Sequence, residues 1–118
     1  MNEKEIFKRA EEWLVNELDI AIVTVIETWG SSPRPVGSSM IVNLNNEILG
    51  SVSGGCIESF VFAKSLEVIK SNKFQTLEFG VSNSQAWEVG LTCGGRFKVL
   101  VEKYSRNDLE VIKKIKYR

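Results

Sequence analysis

Two cysteines, each beside a pair of glycines, are the residues of this sequence best suited to chemistry. Cys56 follows Gly54 and Gly55, and Cys93 precedes another glycine pair. Because glycine adopts positive φ without a Cβ penalty, such a pair lets the backbone turn sharply and approach a ligand. A strand that turns through small residues into a helix directs free N–H groups and the positive end of the helix dipole to one point. The segment 50–58 therefore predicts an anion site whose field favours the thiolate of Cys56.

The residues around this turn have structural interpretations as well. The turn itself is equally compatible with an inert cysteine buried in the core. Glu58, three residues after Gly55, is either a carboxylate that stabilises the helix dipole or an acid/base group. Arg34, between two prolines, suits bidentate pairing with phosphate or carboxylate, or is simply an exposed loop arginine. Trp29 and Trp87 suit stacking on a flat heterocycle or closing the end of a core.

Several kinds of catalytic site are excluded by composition. The sequence has no histidine for a serine or cysteine triad, no Gly-Lys-Ser/Thr element and no paired carboxylates within one loop. Two cysteines without histidine do not complete the usual ligand sets of zinc. The residues thus favour a binding protein with one or two reactive thiols over an enzyme.

The overall composition is that of one soluble globular domain. The chain has 118 residues, of which 43% are hydrophobic and 25% charged, and its 15 basic and 15 acidic residues cancel. This balance argues against a broad nucleic-acid footprint. No apolar run reaches the roughly 18–20 residues that a membrane span needs, and the charged N-terminus does not resemble a signal peptide. These features predict a cytoplasmic protein without a membrane span.

Hydrophobic periodicity predicts an α/β (α+β) fold, with helices flanking a mixed sheet of about five strands. Asn2 and Glu5 predict a capping box on a first helix ending at about Glu17. A strand at 20–26, apolar on both faces, is expected at the centre of the sheet. The other predicted elements are a hairpin of 39–44 and 47–52 around Asn45-Asn46, a buried helix from Cys56 to about Lys70, strands from Gln75 and at 97–101, and a last helix capped by Asn107 or Asp108.

Three loops interrupt these elements and concentrate the unusual residues. The loops at 29–38, 53–56 and 82–95 hold seven of the nine glycines, both prolines, both cysteines and two of the three tryptophans. If the strands bring the loops to one edge of the sheet, they form a crevice with N–H groups, hydroxyls, thiols, an arginine and aromatic walls. Such a crevice suits an anionic organic ligand that contains sulfur or metal.

Three motifs in these loops closely resemble the XdhC/CoxI family. The motifs are residues 28–38, residues 50–58, and Phe79-Gly80-Val81 with residues 86–95, and the resemblance covers about residues 20–102 in order. It implies an accessory protein for maturation of xanthine dehydrogenase and related molybdenum hydroxylases. Such a protein binds the molybdenum cofactor (molybdopterin) as transient cargo, assists its sulfuration by a cysteine desulfurase and helps insert it into the apo-hydroxylase.

The resemblance also implies which residues meet the cofactor. By position these are Gly54, Gly55, Cys56, Glu58, Cys93, Gly94 and Gly95. The composition of the loops adds Trp29, Arg34, Gly37, Ser38, Ser53 and Trp87 as candidates. Cys56 and Cys93 are the candidates for contact with the cofactor's molybdenum. No residue is assigned a catalytic role.

Many family members continue into a C-terminal Rossmann-like domain, whereas this sequence ends at Arg118. We therefore expect a single domain over 1–118 and a possible homo-oligomer; either a separate polypeptide supplies the Rossmann domain or the protein acts without it. Two alternatives stay open. One is a small thiol or persulfide enzyme that uses Cys56 and Cys93, and the other is a non-catalytic partner subunit of an oxidoreductase.

Overall fold

The computed structural model describes residues 2–30, 34–55, 57–80 and 95–116. Its elements are α1 (Glu3–Val15), β1 (Ile20–Trp29), β2 (Ser39–Asn43), β3 (Ile48–Gly50), α2 (Glu58–Ser71), β4 (Gln75–Phe79), β5 (Arg96–Tyr104), a 3-10 turn (Arg106–Asp108) and α3 (Leu109–Lys116). No described helix has the length and apolar character that crossing a membrane requires.

The five strands form one sheet in the order β3-β2-β1-β5-β4. The prediction of about five strands with flanking helices is confirmed, and β1 is the central strand, as its apolar faces indicate. All four strand pairings are antiparallel, so the sheet is not mixed. The reason is that α2 connects two opposite edge strands, β3 and β4, and therefore places no parallel strands side by side.

Alternation along β1 divides the core into two layers. Ala21, Val23 and Val25 face the layer that contains α2, whereas Ile20 and Ile22 face the layer that contains α1 and α3. The predicted apolar face of α1 is buried in the second layer, where Trp13 is 5% exposed. A strand that is buried on both sides needs apolar residues on both faces. For this reason apolar and polar residues do not alternate in the buried part of β1.

Several predicted boundaries are corrected. Strand β1 extends to Trp29 instead of ending at residue 26, because the long β5 supplies hydrogen-bonding partners as far as Trp29 opposite Arg96. The register shifts between Val25 and Glu27. This shift moves Trp29 onto the face opposite α2, where Arg96 also lies.

The helix ends also differ from the prediction. Helix α1 ends at Val15 because Glu17 adopts a φ of 61°. Of its predicted capping box, the Asn2 half is confirmed by the Glu5 N–H, which donates to Asn2 Oδ1 at 2.9 Å. Helix α2 begins at Glu58, two residues later than predicted. The last helix is preceded by a capping box in which Ser105 is the N-cap and Asp108 supplies the carboxylate.

The hairpin is confirmed, but its connection is longer than the predicted Asn45-Asn46 pair. Strands β2 and β3 are joined by residues 44–47. The Asn43 side chain accepts hydrogen bonds from the N–H groups of Asn45 at 2.9 Å and Glu47 at 3.2 Å. Asn46 has a φ of 63°, which an asparagine tolerates.

Candidate functional site

The strand registers bring the flanks of all three unusual loops to one end of the sheet. Trp29 at the end of β1 lies opposite Arg96 at the start of β5. Phe79 at the end of β4 lies opposite Phe97, one residue further along β5. On the other side of β1 in the same sheet, Gly50 at the end of β3 lies opposite Met40 near the start of β2. The expectation that the loops share one edge of the sheet is therefore confirmed for their described flanks, and we call this edge the loop end.

The glycine turn at the loop end is organised by the carboxylate of Glu58. Glu58 Oε2 accepts hydrogen bonds from the Ser51 hydroxyl at 2.9 Å and from the N–H groups of Val52 and Ser53 at 3.0 Å each. Glu58 Oε1 accepts from the Gly55 N–H at 2.8 Å and from the Ser53 hydroxyl. Five donors of the turn thus converge on one side chain.

Two serines complete this network. The Ser51 hydroxyl oxygen accepts from the Gly54 N–H at 2.8 Å, and the Ser53 hydroxyl oxygen accepts from the Ile57 N–H at 3.1 Å. Every N–H group from residue 52 to 55, together with that of Ile57, therefore has a side-chain acceptor. These five N–H groups, which the sequence predicted to be free, are not free, because the chain supplies its own acceptors in Glu58 and the two serines.

The hydrogen bonds decide the protonation state of Glu58. Burial alone would raise the pKa of this carboxyl, but the combined hydrogen bonds from Ser53, Val52 and Ser51 outweigh it and lower the pKa below the ordinary value of 4.5. Glu58 is therefore ionised at neutral pH. Of the two interpretations of Glu58, this geometry favours the structural carboxylate over the acid/base group.

The glycines of the turn are required by its backbone. Gly54 and Gly55 have φ of +72° and +111°, and a Cβ at either position would meet no atom within 4 Å. Both residues are exposed, so their surface is open to a ligand even though their N–H groups are in use.

The loop that follows β1 is held by α1. Glu3 Oε1 accepts from the Ser39 N–H at 3.1 Å and lies 3.8 Å from a terminal guanidinium nitrogen of Arg34. Ser38 is buried, and its carbonyl accepts from the Val25 N–H at 2.9 Å. Gly37, with a φ of +95°, donates its N–H to the Val25 carbonyl at 2.9 Å. Ser38 and Gly37 therefore fix the loop to β1, whereas Arg34 keeps 39% of its side chain exposed.

On the face opposite α2, an aromatic ring and three charged side chains form a connected row at the loop end. The guanidinium of Arg96 lies over the Trp29 ring, 4.1 Å from its centroid. Glu78 forms ion pairs with Arg96 at 3.5 Å and Lys98 at 3.4 Å. Trp29 is 37% exposed, so the ring packs against a cation and retains access to solvent.

Of the predicted site residues, the structure describes Trp29, Arg34, Gly37, Ser38, Ser53, Gly54, Gly55, Glu58 and Gly95, which belong to the strand ends, the loop flanks or the start of α2 at the loop end. Cys56, Trp87, Cys93 and Gly94 lie outside the described residues. Among the residues described, no group of three or more metal-ligating side chains is found. Sequence reasoning did not single out Ser51 or Arg96. Ser51 lies in the glycine motif, but its spacing from Glu58 alone does not reveal that the two side chains meet.

The fold is a three-layer α+β domain with a loop-rich end, and comparisons assign it to a family. A profile of the XdhC and CoxI family matches residues 13–80. The chain belongs to this family. Its relatives include the molybdenum cofactor insertion chaperone PaoD of Escherichia coli (strain K12), which is 31% identical over 83% of this chain and 30% of its own length.

Another relative, from Bacillus subtilis (strain 168), is described as a probable xanthine dehydrogenase subunit and is 24% identical over 87% of this chain and 32% of its own length. This chain therefore spans less than a third of either protein. A crystal structure described as a xanthine dehydrogenase from Bacillus halodurans superimposes with a TM-score of 0.79, at 24% identity, over 99% of this chain and 34% of that one. The superposition establishes the fold.

Proposed function

We propose that this protein binds the molybdenum cofactor and helps to insert it into apo molybdenum hydroxylases of the xanthine dehydrogenase type. Membership of the XdhC and CoxI family supports this proposal, as does similarity to a molybdenum cofactor insertion chaperone. The structural observation that carries it is the meeting of the three loop flanks at the loop end.

The loop end fits the chemistry of such a cargo, which combines a phosphate, a flat pterin and a metal–sulfur group. Arg34 and Arg96 offer guanidinium groups to the phosphate, and Trp29 offers an exposed aromatic surface. Gly54 and Gly55 let a ligand approach the backbone closely. We assign Cys56 and Cys93 to the metal–sulfur group on the basis of the family resemblance.

The protein holds the cargo away from water, and a cysteine desulfurase supplies sulfur to it before transfer. In this proposal the protein acts in the cytoplasm and has no catalytic residue of its own. A second copy of the chain or a separate Rossmann-domain protein completes the assembly that docks on the apo-hydroxylase.

Anaerobic titration of the purified protein with molybdenum cofactor tests this function. We expect saturable binding that Cys56→Ala weakens. Leu44→Ala is a matched control, because Leu44 is an exposed side chain (46%) in the β2–β3 connection, at the opposite end of the sheet. Absence of saturable binding by the unmodified protein would refute the function.

The same titration separates the roles of the thiols. Binding that survives Cys56→Ala unchanged would leave the chaperone function standing and remove Cys56 from the site. For the sulfuration step, the protein is incubated with a cysteine desulfurase and cysteine, and its intact mass is measured. A stable persulfide on the protein itself in the absence of cofactor would favour the thiol enzyme.

A further inference from the structure

A groove lies on the face of the sheet that α1 and α3 cover, next to the loop that contains Gly37. Its volume is about 260 Å³. Three adjacent strands form its floor with the polar side chains Ser39, Thr24, Glu102 and Tyr104, and the two helices add Phe7 and Ile115 as apolar walls. The register explains this grouping, because Ser39 lies opposite Thr24, and Glu102 lies opposite Ile22.

The groove contains a carboxylate that has no cationic partner in the described part of the chain. Glu102 Oε1 accepts one long hydrogen bond, at 3.4 Å, from the Tyr104 hydroxyl. Burial, and then the negative charge of Glu102, raise the pKa of Tyr104 to about 12. The Tyr104 hydroxyl therefore stays protonated and directs a donor at the carboxylate. The other carboxylate near the floor, Glu3, is paired with Arg34 and with the Ser39 N–H.

These groups define the chemistry of an occupant. An ionised carboxylate has two acceptor oxygens, which match two parallel N–H donors and repel anions. The Thr24 hydroxyl can donate and accept, whereas the Ser39 hydroxyl donates to the Gly37 carbonyl at 3.3 Å and keeps acceptor capacity. Together they suit the ring nitrogens and N–H groups of a heterocycle. The volume lies just below the roughly 300–1,000 Å³ of pockets for drug-sized ligands. A single fused ring is therefore a better match than a whole nucleotide.

We propose that this groove binds a flat fused heterocycle through its amidine edge, in which a ring N–H and the neighbouring exocyclic NH₂ donate to the two oxygens of Glu102. Pterin and guanine rings share this edge. If the proposed function holds, the occupant is the pterin of the molybdenum cofactor, which then lies in the groove and not on the Trp29 ring. The ring then enters beside Gly37, which lines both the groove and the loop end. The phosphate and metal–sulfur groups stay at the loop end, away from Glu102.

Ring binding is measured by fluorescence titration with three neutral probes. These are 2-amino-4-oxopteridine, guanosine, and 2,4-dioxopteridine, which lacks the exocyclic NH₂ group. We expect the dioxopteridine to bind at least about tenfold more weakly than the aminopteridine, because one hydrogen bond to a charged acceptor is lost. In Glu102→Gln this preference should disappear. Glu110→Gln is the matched control, since Glu110 is an 80%-exposed carboxylate of α3 that pairs with Lys113.

Each outcome has one meaning. Equal affinity of the wild-type protein for the two pteridines overturns the amidine assignment without any variant, and a preference that survives in Glu102→Gln overturns the role of Glu102. Tighter binding of guanosine than of aminopteridine assigns the groove to a guanine and overturns its assignment to the cofactor.

Titration with the intact cofactor separates this inference from the proposed function. If wild-type protein and Glu102→Gln bind the cofactor equally well, the groove inference fails and the chaperone function stands. If the cofactor does not bind but the wild-type protein still prefers the aminopteridine, the function fails and the groove remains a heterocycle site.

Discussion

Removal of the Glu58 carboxylate is predicted to destabilise the domain by an amount that follows from its donors. Three of the five hydrogen bonds to Glu58 come from buried residues: the N–H groups of Val52 and Ser53 and the Ser53 hydroxyl. In Glu58→Ala these donors lose their acceptor and reach water only if the turn opens. The Gly55 N–H is at an exposed position and rehydrates. An unsatisfied buried donor costs about 1–3 kcal/mol, so the two N–H groups, which unlike the hydroxyl cannot rotate to another acceptor, predict a loss of at least about 2 kcal/mol.

Glu58→Gln should have a smaller effect, because its side chain keeps one acceptor oxygen. Three donors meet Oε2 and two meet Oε1. The amide oxygen is therefore expected at the Oε2 position, which leaves the NH₂ group facing the exposed Gly55 N–H and the rotatable Ser53 hydroxyl. The predicted loss is about 1–2 kcal/mol.

Urea unfolding at neutral pH, followed by tryptophan fluorescence, measures both losses as changes in the midpoint at constant m-value. Glu67→Ala is the matched control, because Glu67 lies on the same helix, pairs with Lys64 and is 58% exposed. Its effect should stay within about 0.5 kcal/mol. If Glu58→Ala changes stability by no more than this control, the turn does not depend on the carboxylate and the reasoning is wrong.

Two further predictions concern the same end of the sheet. Because the pKa of Glu58 is lowered from 4.5, the contribution of its charge to folding stability is complete above pH 4.5 and is lost as the pH falls through the lowered value. The difference in unfolding free energy between wild type and Glu58→Gln should therefore narrow only below pH 4.5. A difference that stays constant into acid would contradict the charge assignment. Gly50→Ala should lower the thermal stability more than Gly54→Ala. Both residues have positive φ, which costs about 1–2 kcal/mol for alanine. A Cβ on Gly50 would in addition lie 2.4 Å from the Ser39 carbonyl oxygen, whereas a Cβ on Gly54 would meet no atom within 4 Å. Equal losses would show that backbone strain alone matters.

The elements of this fold could be predicted where apolar residues follow one clear period. The buried face of α1 and the doubly covered β1 are examples, since local spacing alone reveals which sides are covered. The extension of β1 through residues 27–29 could not be predicted, because it depends on pairing with β5 some seventy residues later in the chain. The all-antiparallel sheet likewise depends on where α2 carries the chain.

The candidate site could be predicted as a set of loops but not as a set of contacts. Clustering of glycine, proline and cysteine marked the loops, and the strand registers bring their flanks together. The use of the turn's N–H groups by Glu58 depends on side-chain directions in Ser51 and Ser53, which spacing does not fix. The groove at Glu102 was missed because its lining comes from two helices and three strands, and each residue alone is typical of packing or of a solvated strand.

The closed network around Glu58 bears on which groups could bind the anionic cargo that we propose. Releasing the N–H groups of Val52, Ser53 and Gly55 would break three hydrogen bonds to one carboxylate. By contrast, Arg34 and Arg96 form ion pairs at 3.8 and 3.5 Å, in which the side chains are about 40% exposed. Exposed pairs of this kind contribute about 0–1 kcal/mol, so exchanging their carboxylate for a phosphate costs little. We therefore expect the turn to act as a rigid frame, and we propose the two arginines as the charge partners of an anion at the loop end.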